Sequence, residues 1–181
     1  ILIGYSWRQP CWEQNSVQLT SQKETDFDLE LDFVLIGISS VLRDYRLCHF
    51  INKHTGLKLV HGKEDYIDHN GKEKEKPQNE LDYHIIYESK KNKPSVQHHF
   101  ITYRYNNQTY DFEFYLLSNK SIEGGTLIPE IVSFDYFLLI KHYIDEEDLE
   151  ALIENIKAIP EVLLVKEIDP TALKSKENLI F

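Results

Sequence analysis

LIPEIVSFDYFLLIKHY, from Leu127 to Tyr143, is the stretch that decides the fold. It opens with a turn at Pro129 and runs into the longest apolar strand candidate of the chain, Phe134 to Ile140. Apolar side chains occupy both faces of this strand, which is typical of a central strand covered on two sides. The stretch also carries two carboxylates, Glu130 and Asp135, and therefore bears on function as well as on fold.

A first strand–helix–strand unit precedes this stretch. Residues 33–39 (FVLIGIS) form a second doubly apolar strand. The serine pair 39–40 can cap a helix over Val41 to His54, which Gly56 ends. A strand at Leu57 to Val60 completes the unit.

The decisive stretch opens a second unit of the same kind. Acidic residues in the first turn and apolar residues at helical spacing predict a helix from Glu146 to Ile159, with Asp145 as its cap. Pro160 ends the helix, and Val162 to Val165 forms a strand. A polar tail follows.

The middle of the chain predicts antiparallel strands. His98 to Tyr105 and Gln108 to Leu117 alternate cleanly and predict a hairpin that turns at Asn106-Asn107. This turn places Tyr103 opposite Tyr110. A further strand lies at Tyr83 to Glu88.

These elements predict an α+β fold: a mixed or antiparallel sheet of about seven strands and two main helices, in the order β-α-β, β-hairpin, β-α-β. Residues 1–26 have no sustained period and are interpreted as an extension or leader. Residues 27–181 form a single domain, with a charged, mobile loop near 62–80.

Two helices cover one face of such a sheet, so the second face needs another cover. The extension, the folded hairpin and a second copy of the chain are the candidates. We therefore expect a homodimer or a protein partner on this face, contacting Phe134, Tyr136, Phe137 and Leu139.

The composition restricts the partners. The net charge of −10 disfavours nucleic acid, whose phosphates would be repelled. No apolar run approaches the ~20 residues of a membrane span, so no membrane partner is expected. Two cysteines without a repeating framework favour the cytoplasm, and Cys48 reads as a buried small apolar residue.

Five charged residues are the candidate contacts for a ligand or partner. Glu130 and Asp135 form either an acid–base or metal pair, or structural anchors of a turn and a strand. Arg43, Asp44 and Arg46 concentrate charge on the first helix, where they either bind an anion or form a solvated face.

Neither a metal nor a cofactor is predicted. The adjacent His98 and His99 would point to opposite faces of a strand, so they cannot chelate together. The glycine pair 124–125 is too short to specify phosphate binding, and the chain has no Walker A, G-x-G-x-x-G, G-x-S-x-G or C-x-x-C motif.

Ile128-Pro129-Glu130, followed after three residues by Phe134 and Asp135-Tyr136, resembles the signature of the IPExxxVDY family of Bacteroidetes-type bacteria, with Phe134 in place of the family's valine. The resemblance covers roughly residues 30 to 181 and implies neither an activity nor catalytic residues. Two further segments resemble the IPExxxVDY family: Asp44–Leu47 with Asn52-Lys53, and Leu173–Phe181.

Separately, Asp135 to Ile168 looks like half of an ACT-like or ferredoxin-like regulatory domain.

The main hypothesis is a cytosolic interaction or small-ligand-sensing domain that self-associates. The alternative is a small enzyme of unrecognised class that uses Glu130, Asp135 and the Arg43–Arg46 segment. The two differ in whether these charged groups converge in one pocket.

Overall fold

The doubly apolar strand of the decisive stretch lies inside a six-stranded antiparallel sheet. A computed structural model describes residues 31–62, 65–67, 73–75, 83–88, 94–107, 112–142 and 144–180, within a unit that spans Leu31–Phe181. The predicted extension and most of the predicted mobile loop lie outside the described residues. In chain order the elements are β1 (Phe33–Ser40), α1 (Asp44–Thr55), β2 (Asp65–Ile67), β3 (Glu73–Glu75), β4 (Tyr83–Glu88), β5 (Val96–Asn107), β6 (Phe112–Ser118), β7 (Tyr136–Lys141), α2 (Glu146–Lys157) and β8 (Val162–Ile168).

The strand order in the sheet is β4-β5-β6-β7-β1-β8, and every neighbouring pair is antiparallel. Strand β1 therefore runs parallel to β6 with β7 between them, and β7 runs parallel to β8 with β1 between them. Strands β7 and β8 with α2 between them thus form a split β-α-β unit, whereas four strands separate α1 from β6 in the chain. The α+β prediction is confirmed, but the main sheet has six strands rather than seven, and β2 and β3 pair separately inside the predicted loop.

Two apolar clusters lie on opposite faces of the sheet. The first joins α1 and α2 to the sheet and includes Leu47, Ile51, Leu152 and Ile156. The second contains Phe137 and Leu139 of β7 together with residues of two non-strand segments, the 119–135 connection and the C-terminal tail. These covering residues are Leu127, Ile128, Phe134, Leu173 and Leu179.

The chain itself thus covers the second face, by a route that the sequence interpretation did not consider. The tail looked polar, yet Leu173 and Leu179 are buried. Gly37 makes the cover possible, because a Cβ there would lie 2.8 Å from the Phe134 ring and 2.6 Å from Ile168. Phe134 lies before β7 rather than inside it.

The first unit differs from its prediction at both ends. Helix α1 begins at Asp44, with Arg43 in the cap position, because Ser39 and Ser40 extend β1 instead. Gly56 ends the helix as predicted, in a left-handed conformation. The predicted strand at Leu57–Val60 is reduced to one bridge, in which Val60 exchanges two backbone hydrogen bonds of 2.8 Å with Arg104.

The hairpin register was predicted wrongly. Tyr103 lies opposite Leu116 rather than Tyr110, a shift of six residues, and the connection 108–111 lies outside the described residues. Strand β7 continues the same row of residues, with Leu138 opposite Leu116 on the other side of β6. Because the shift is even, each side chain keeps its predicted face.

The second unit follows its prediction closely. Asp145 occupies the cap position of α2, although its side chain makes no capping hydrogen bond. Strand β8 continues to Ile168, three residues beyond its predicted end.

Candidate ligand-binding cleft

Glu130 and Asp135, the two carboxylates of the 127–143 stretch, bind different parts of the chain. Glu130 accepts a 2.6 Å hydrogen bond from the Ser175 N–H of the tail. Burial raises the pKa of Glu130, but hydrogen bonds from its own N–H and from Ser175 outweigh this, so the net shift is downward. Asp135 accepts the Ser40 N–H at 3.1 Å at the end of β1 and lies 3.6 Å from the Lys120 ammonium.

The charged residues at the start of α1 have different surroundings. Asp44 accepts a 2.9 Å hydrogen bond from the Tyr103 hydroxyl. Burial, together with this bond, raises the pKa of Tyr103. Arg43 and Arg46 have exposed side chains.

Tyr136 connects Asp44 and Asp135 electrostatically. Burial raises its pKa to about 12, and the negative charges of both carboxylates add to the shift. The Tyr136 hydroxyl donates a 2.8 Å hydrogen bond to the Leu42 carbonyl. Glu130 has no part in this group. The structure therefore does not bring Glu130 and Asp135, the two carboxylates of the enzyme hypothesis, into one pocket.

These residues of the 127–143 stretch therefore act as structural anchors. Pro129 and Glu130 join the connection before β7 to the tail, while Asp135 and Tyr136 join the start of β7 to the β1–α1 junction. The predicted interface residues Phe134, Tyr136, Phe137 and Leu139 are all buried within the chain. Contact with a partner through them would require the chain to open.

A cleft of about 540 Å³ lies elsewhere, where the sheet edge, a glycine-containing loop and the tail meet. Strands β4 and β5 form one wall, residues 123–126 and Pro129 another, and Asn178 of the tail a third. None of the five predicted contact residues lines it. The lining residues are Ile86, Tyr87, Glu88, His98, Phe100, Glu123, Gly124, Gly125, Thr126, Pro129 and Asn178.

His98 is the central polar side chain of the cleft. Its Nε2 lies 3.4 Å from the Glu88 carboxylate, and its Nδ1 lies 3.2 Å from Ser121 Oγ. Because a carboxylate accepts, Nε2 carries the proton, and Nδ1 accepts from the Ser121 hydroxyl when the ring is neutral. Ser121 Oγ in turn accepts the Gly125 N–H at 2.8 Å.

Gly125 is required by the position of the His98 ring. A Cβ at this residue would lie 2.4 Å from His98 Nδ1 and within 3 Å of two ring carbons. Any side chain at position 125 must therefore displace the imidazole from its place in the cleft wall.

The order serine–histidine–glutamate resembles a nucleophile with its base, but the surroundings do not support acyl transfer. Ser121 is buried. The nearby N–H groups that could stabilise an oxyanion are already used: Gly124 donates to Ser121 O, Gly125 to Ser121 Oγ and Ile122 to His99 O. The arrangement holds the loop rather than presenting an attacking oxygen.

His99 fixes the same loop from the other face of β5. Its N–H donates to Glu123 at 2.8 Å, and its Nδ1 lies 2.6 Å from the second oxygen of that carboxylate. These contacts, the backbone N–H foremost, lower the pKa of Glu123 to about 2. The two histidines do point to opposite faces, and this lets them hold the loop at two points.

The tail is fixed to the cleft by two hydrogen bonds of Asn178. Its side-chain amide donates to the Leu127 carbonyl at 2.8 Å, and its carbonyl accepts from His84 Nε2 at 2.7 Å. Burial lowers the pKa of His84, although the bond to Asn178 opposes the shift.

Sequence reasoning did not find this cleft, although it weighed His98 and the glycine pair individually. Their meeting depends on the β4–β5 register, which sets Ile86 opposite His98, and on the return of the tail. Neither leaves a periodic signal. The one signal of the cleft in the sequence was the position of Glu123 directly before Gly124 and Gly125.

Three further properties bear on function. No group of three or more His, Cys, Asp or Glu residues that could hold a metal occurs in the described part of the chain. None of the helices described there is long and apolar enough to cross a bilayer. Cys48 is buried and unpaired, and burial, followed by the charge of Asp44, raises its pKa to about 12, so its thiol is a poor nucleophile at neutral pH.

Comparisons with protein-family models, with curated proteins and with solved structures gave no match.

Proposed function

We propose that this chain is a cytosolic binding domain that holds a small ligand in the cleft between β4, β5, the 121–126 loop and the tail. The observation that carries the proposal is the cleft itself. Its volume of about 540 Å³ falls within the range of small-molecule sites, ~300–1,000 Å³. It combines an apolar floor at Phe100 with a few oriented polar groups, the usual composition of such sites.

Titration of the ¹⁵N-labelled chain with a fragment library tests this proposal. The amides of Gly124 and Gly125 are suitable reporters, because both lie in the cleft wall. We expect fragments that bind to shift these two signals first, and the Gly125→Ala variant to lose the response because its methyl group displaces His98.

Gly56→Ala is the matched control. Gly56 has φ +76° and open space around its Cβ position, so alanine there strains the backbone without touching the cleft. Fragments that shift residues elsewhere, or that bind Gly125→Ala as well as the parent chain, would refute the proposal.

Self-association is the second part of the proposal, and the exposed edge of β8 supports it. Among the described strands β8 pairs only with β1. It exposes Leu163 by 70% and Leu164 by 46%. An unpaired edge strand is a template for another strand, and two identical edges can pair antiparallel about a twofold axis. The split β7-α2-β8 unit adds support by analogy, since ACT-like and ferredoxin-like domains contain such units and commonly pair.

Sedimentation velocity across a concentration series tests this second part. We expect a dimer at tens of micromolar, and we expect Leu164→Lys to abolish it. Ile122→Lys places the same charge on another exposed apolar residue, 66% accessible, and should leave the dimer intact. A strictly monomeric parent chain throughout the series would rule out this part alone.

A further inference from the structure

We infer that the ligand of the cleft is a flat apolar ring that carries an N–H or O–H donor, as phenols and indoles do. This inference rests on the proposed function and adds the chemical class of the ligand. It follows from two half-buried polar side chains that keep hydrogen-bonding capacity, Thr126 and Asn178, and from the apolar side chains that line the cleft with them.

Asn178 offers a rigid acceptor. Its Nδ2 donates to the Leu127 carbonyl at 2.8 Å, which fixes the orientation of the amide and leaves Oδ1 as the remaining side-chain group. The backbone of Asn178 is held as well, because its N–H donates to the Ser175 carbonyl at 3.0 Å and its carbonyl accepts from His84 Nε2. Among the described residues none donates a hydrogen bond to Oδ1. An amide oxygen only accepts, so Oδ1 selects a ligand that donates.

Thr126 offers a hydroxyl from the loop wall of the cleft. It precedes Leu127, whose N–H donates to the Asn119 carbonyl at 2.9 Å and whose own carbonyl holds the Asn178 side chain. Within the described ranges the Thr126 hydroxyl has no hydrogen-bond partner. Because a hydroxyl both donates and accepts, it can bind the oxygen or nitrogen of the ligand whose proton Asn178 accepts.

The other oriented polar groups of the described lining bind within the chain. His98 has Glu88 at 3.4 Å from Nε2 and Ser121 Oγ at 3.2 Å from Nδ1. Both oxygens of Glu123 are bound by His99, one by its N–H and one by its ring. The N–H groups of the glycine pair both donate to Ser121. These groups shape the wall, so the inferred ligand class does not depend on their charge.

The apolar part of the lining suits a ring. Phe100, which is 1% exposed, forms the floor, and Ile86 and Pro129 also line the cleft. Tyr87, with 64% of its surface exposed, is a second aromatic residue of the lining. Aromatic rings gain from offset-stacked or edge-to-face contact with other rings, so a flat ring fits this lining better than a saturated ring of the same size.

Three uncharged probes of similar size test the inference: phenol, anisole and cyclohexanol. Anisole lacks the O–H donor of phenol, and cyclohexanol lacks its flat ring. Each is titrated into the full ¹⁵N-labelled chain at pH 7, with the backbone amides of Gly124 and Gly125 and the side-chain amide of Asn178 as reporters. We expect phenol to bind about fivefold more tightly than anisole, the equivalent of one hydrogen bond between neutral groups, and about threefold more tightly than cyclohexanol. The Asn178 side-chain signals should shift more with phenol than with anisole.

Thr126→Val replaces the cleft hydroxyl with a methyl group, and Thr171→Val makes the same change at an exposed position outside the cleft lining. We expect the first variant to weaken phenol binding about fourfold and the second to change it less than about twofold. Equal or tighter binding of anisole or cyclohexanol at the glycines would overturn the ligand class and leave the binding site standing. An unchanged phenol affinity in Thr126→Val would overturn it too. If no probe shifts the glycines, both the inference and the proposed function fail.

Discussion

Replacing Leu179 with alanine tests whether the tail closes the second face of the sheet. Leu179 is 1% exposed and belongs to the cluster with Phe137 and Leu139. Its neighbour Ile180 is 43% exposed. The two positions differ in burial while matching in side-chain size and place in the chain, so Ile180→Ala is the natural control.

The magnitude follows from burial. Truncating a fully buried leucine removes transfer free energy and leaves a cavity, at a cost of about 2–5 kcal/mol. If the tail detaches before the rest of the chain unfolds, the loss is limited to the free energy with which the tail packs against the sheet. We therefore expect about 2–3 kcal/mol for Leu179→Ala and less than about 1 kcal/mol for Ile180→Ala.

Guanidinium denaturation followed by tyrosine fluorescence measures both values. The free energy of unfolding should fall for Leu179→Ala, and the Asn178 side-chain amide should exchange faster with solvent because the tail detaches more often. Equal, small losses in the two variants would refute the assignment of the tail as cover. The second face would then need another partner.

Four further predictions follow. Gly37→Ala should cost about 1–3 kcal/mol, measured by denaturation, because its methyl group overlaps the Phe134 ring. Asp135→Ala should cost about 1–2 kcal/mol by leaving the Ser40 N–H without its acceptor, whereas Asp135→Asn retains an oxygen there and should cost less. The pKa of His84 is lowered from 6.5 in the folded chain, so the unfolded chain binds the proton first. Stability should fall between pH 7.5 and 5.5, and His84→Gln should reduce this slope. The pKa of Glu123 is about 2 against an ordinary 4.5, so its contribution is present above pH 4.5 and lost as the pH falls toward 2. Acid titration of Glu123→Gln should show a flatter limb in that range.

Local patterns in the sequence located most of the elements. Apolar runs on both faces identified β1 and β7 as central strands, and acidic residues before an apolar stripe identified α2. Gly56 marked the end of α1. These features depend on near neighbours in the chain, where steric and hydrogen-bonding preferences act directly.

Features that depend on distant residues were harder to predict. The β5–β6 register places Tyr103 opposite Leu116, and the two asparagines that looked like a turn lie within β5. Part of the cover of the second face comes from Leu173 and Leu179, which lie in a segment rich in lysine and glutamate. Isolated buried leucines in such a segment have no periodic pattern to reveal them.

The candidate site shows the same limit. The carboxylates that stood out in the sequence, Glu130 and Asp135, serve as acceptors for backbone N–H groups. The cleft is assembled by His98, Gly125 and Asn178, which come from a strand, a loop and the tail. Each is ordinary alone, and only their meeting in three dimensions gives them a chemical role.

The place of β1 in the sheet has a consequence for the order of folding. Strands β4 to β7 pair with their sequence neighbours, so this meander can form through short loop closures. Strand β1 pairs instead with β7 and β8, Phe33 with Lys141 and Leu35 with Ile168. Closing such long loops costs entropy before any contact repays it, and this slows folding. We expect the meander to form first and the insertion of β1 to be the rate-limiting event, because among the described strands β8 pairs only with β1 and joins the sheet only once β1 is in place.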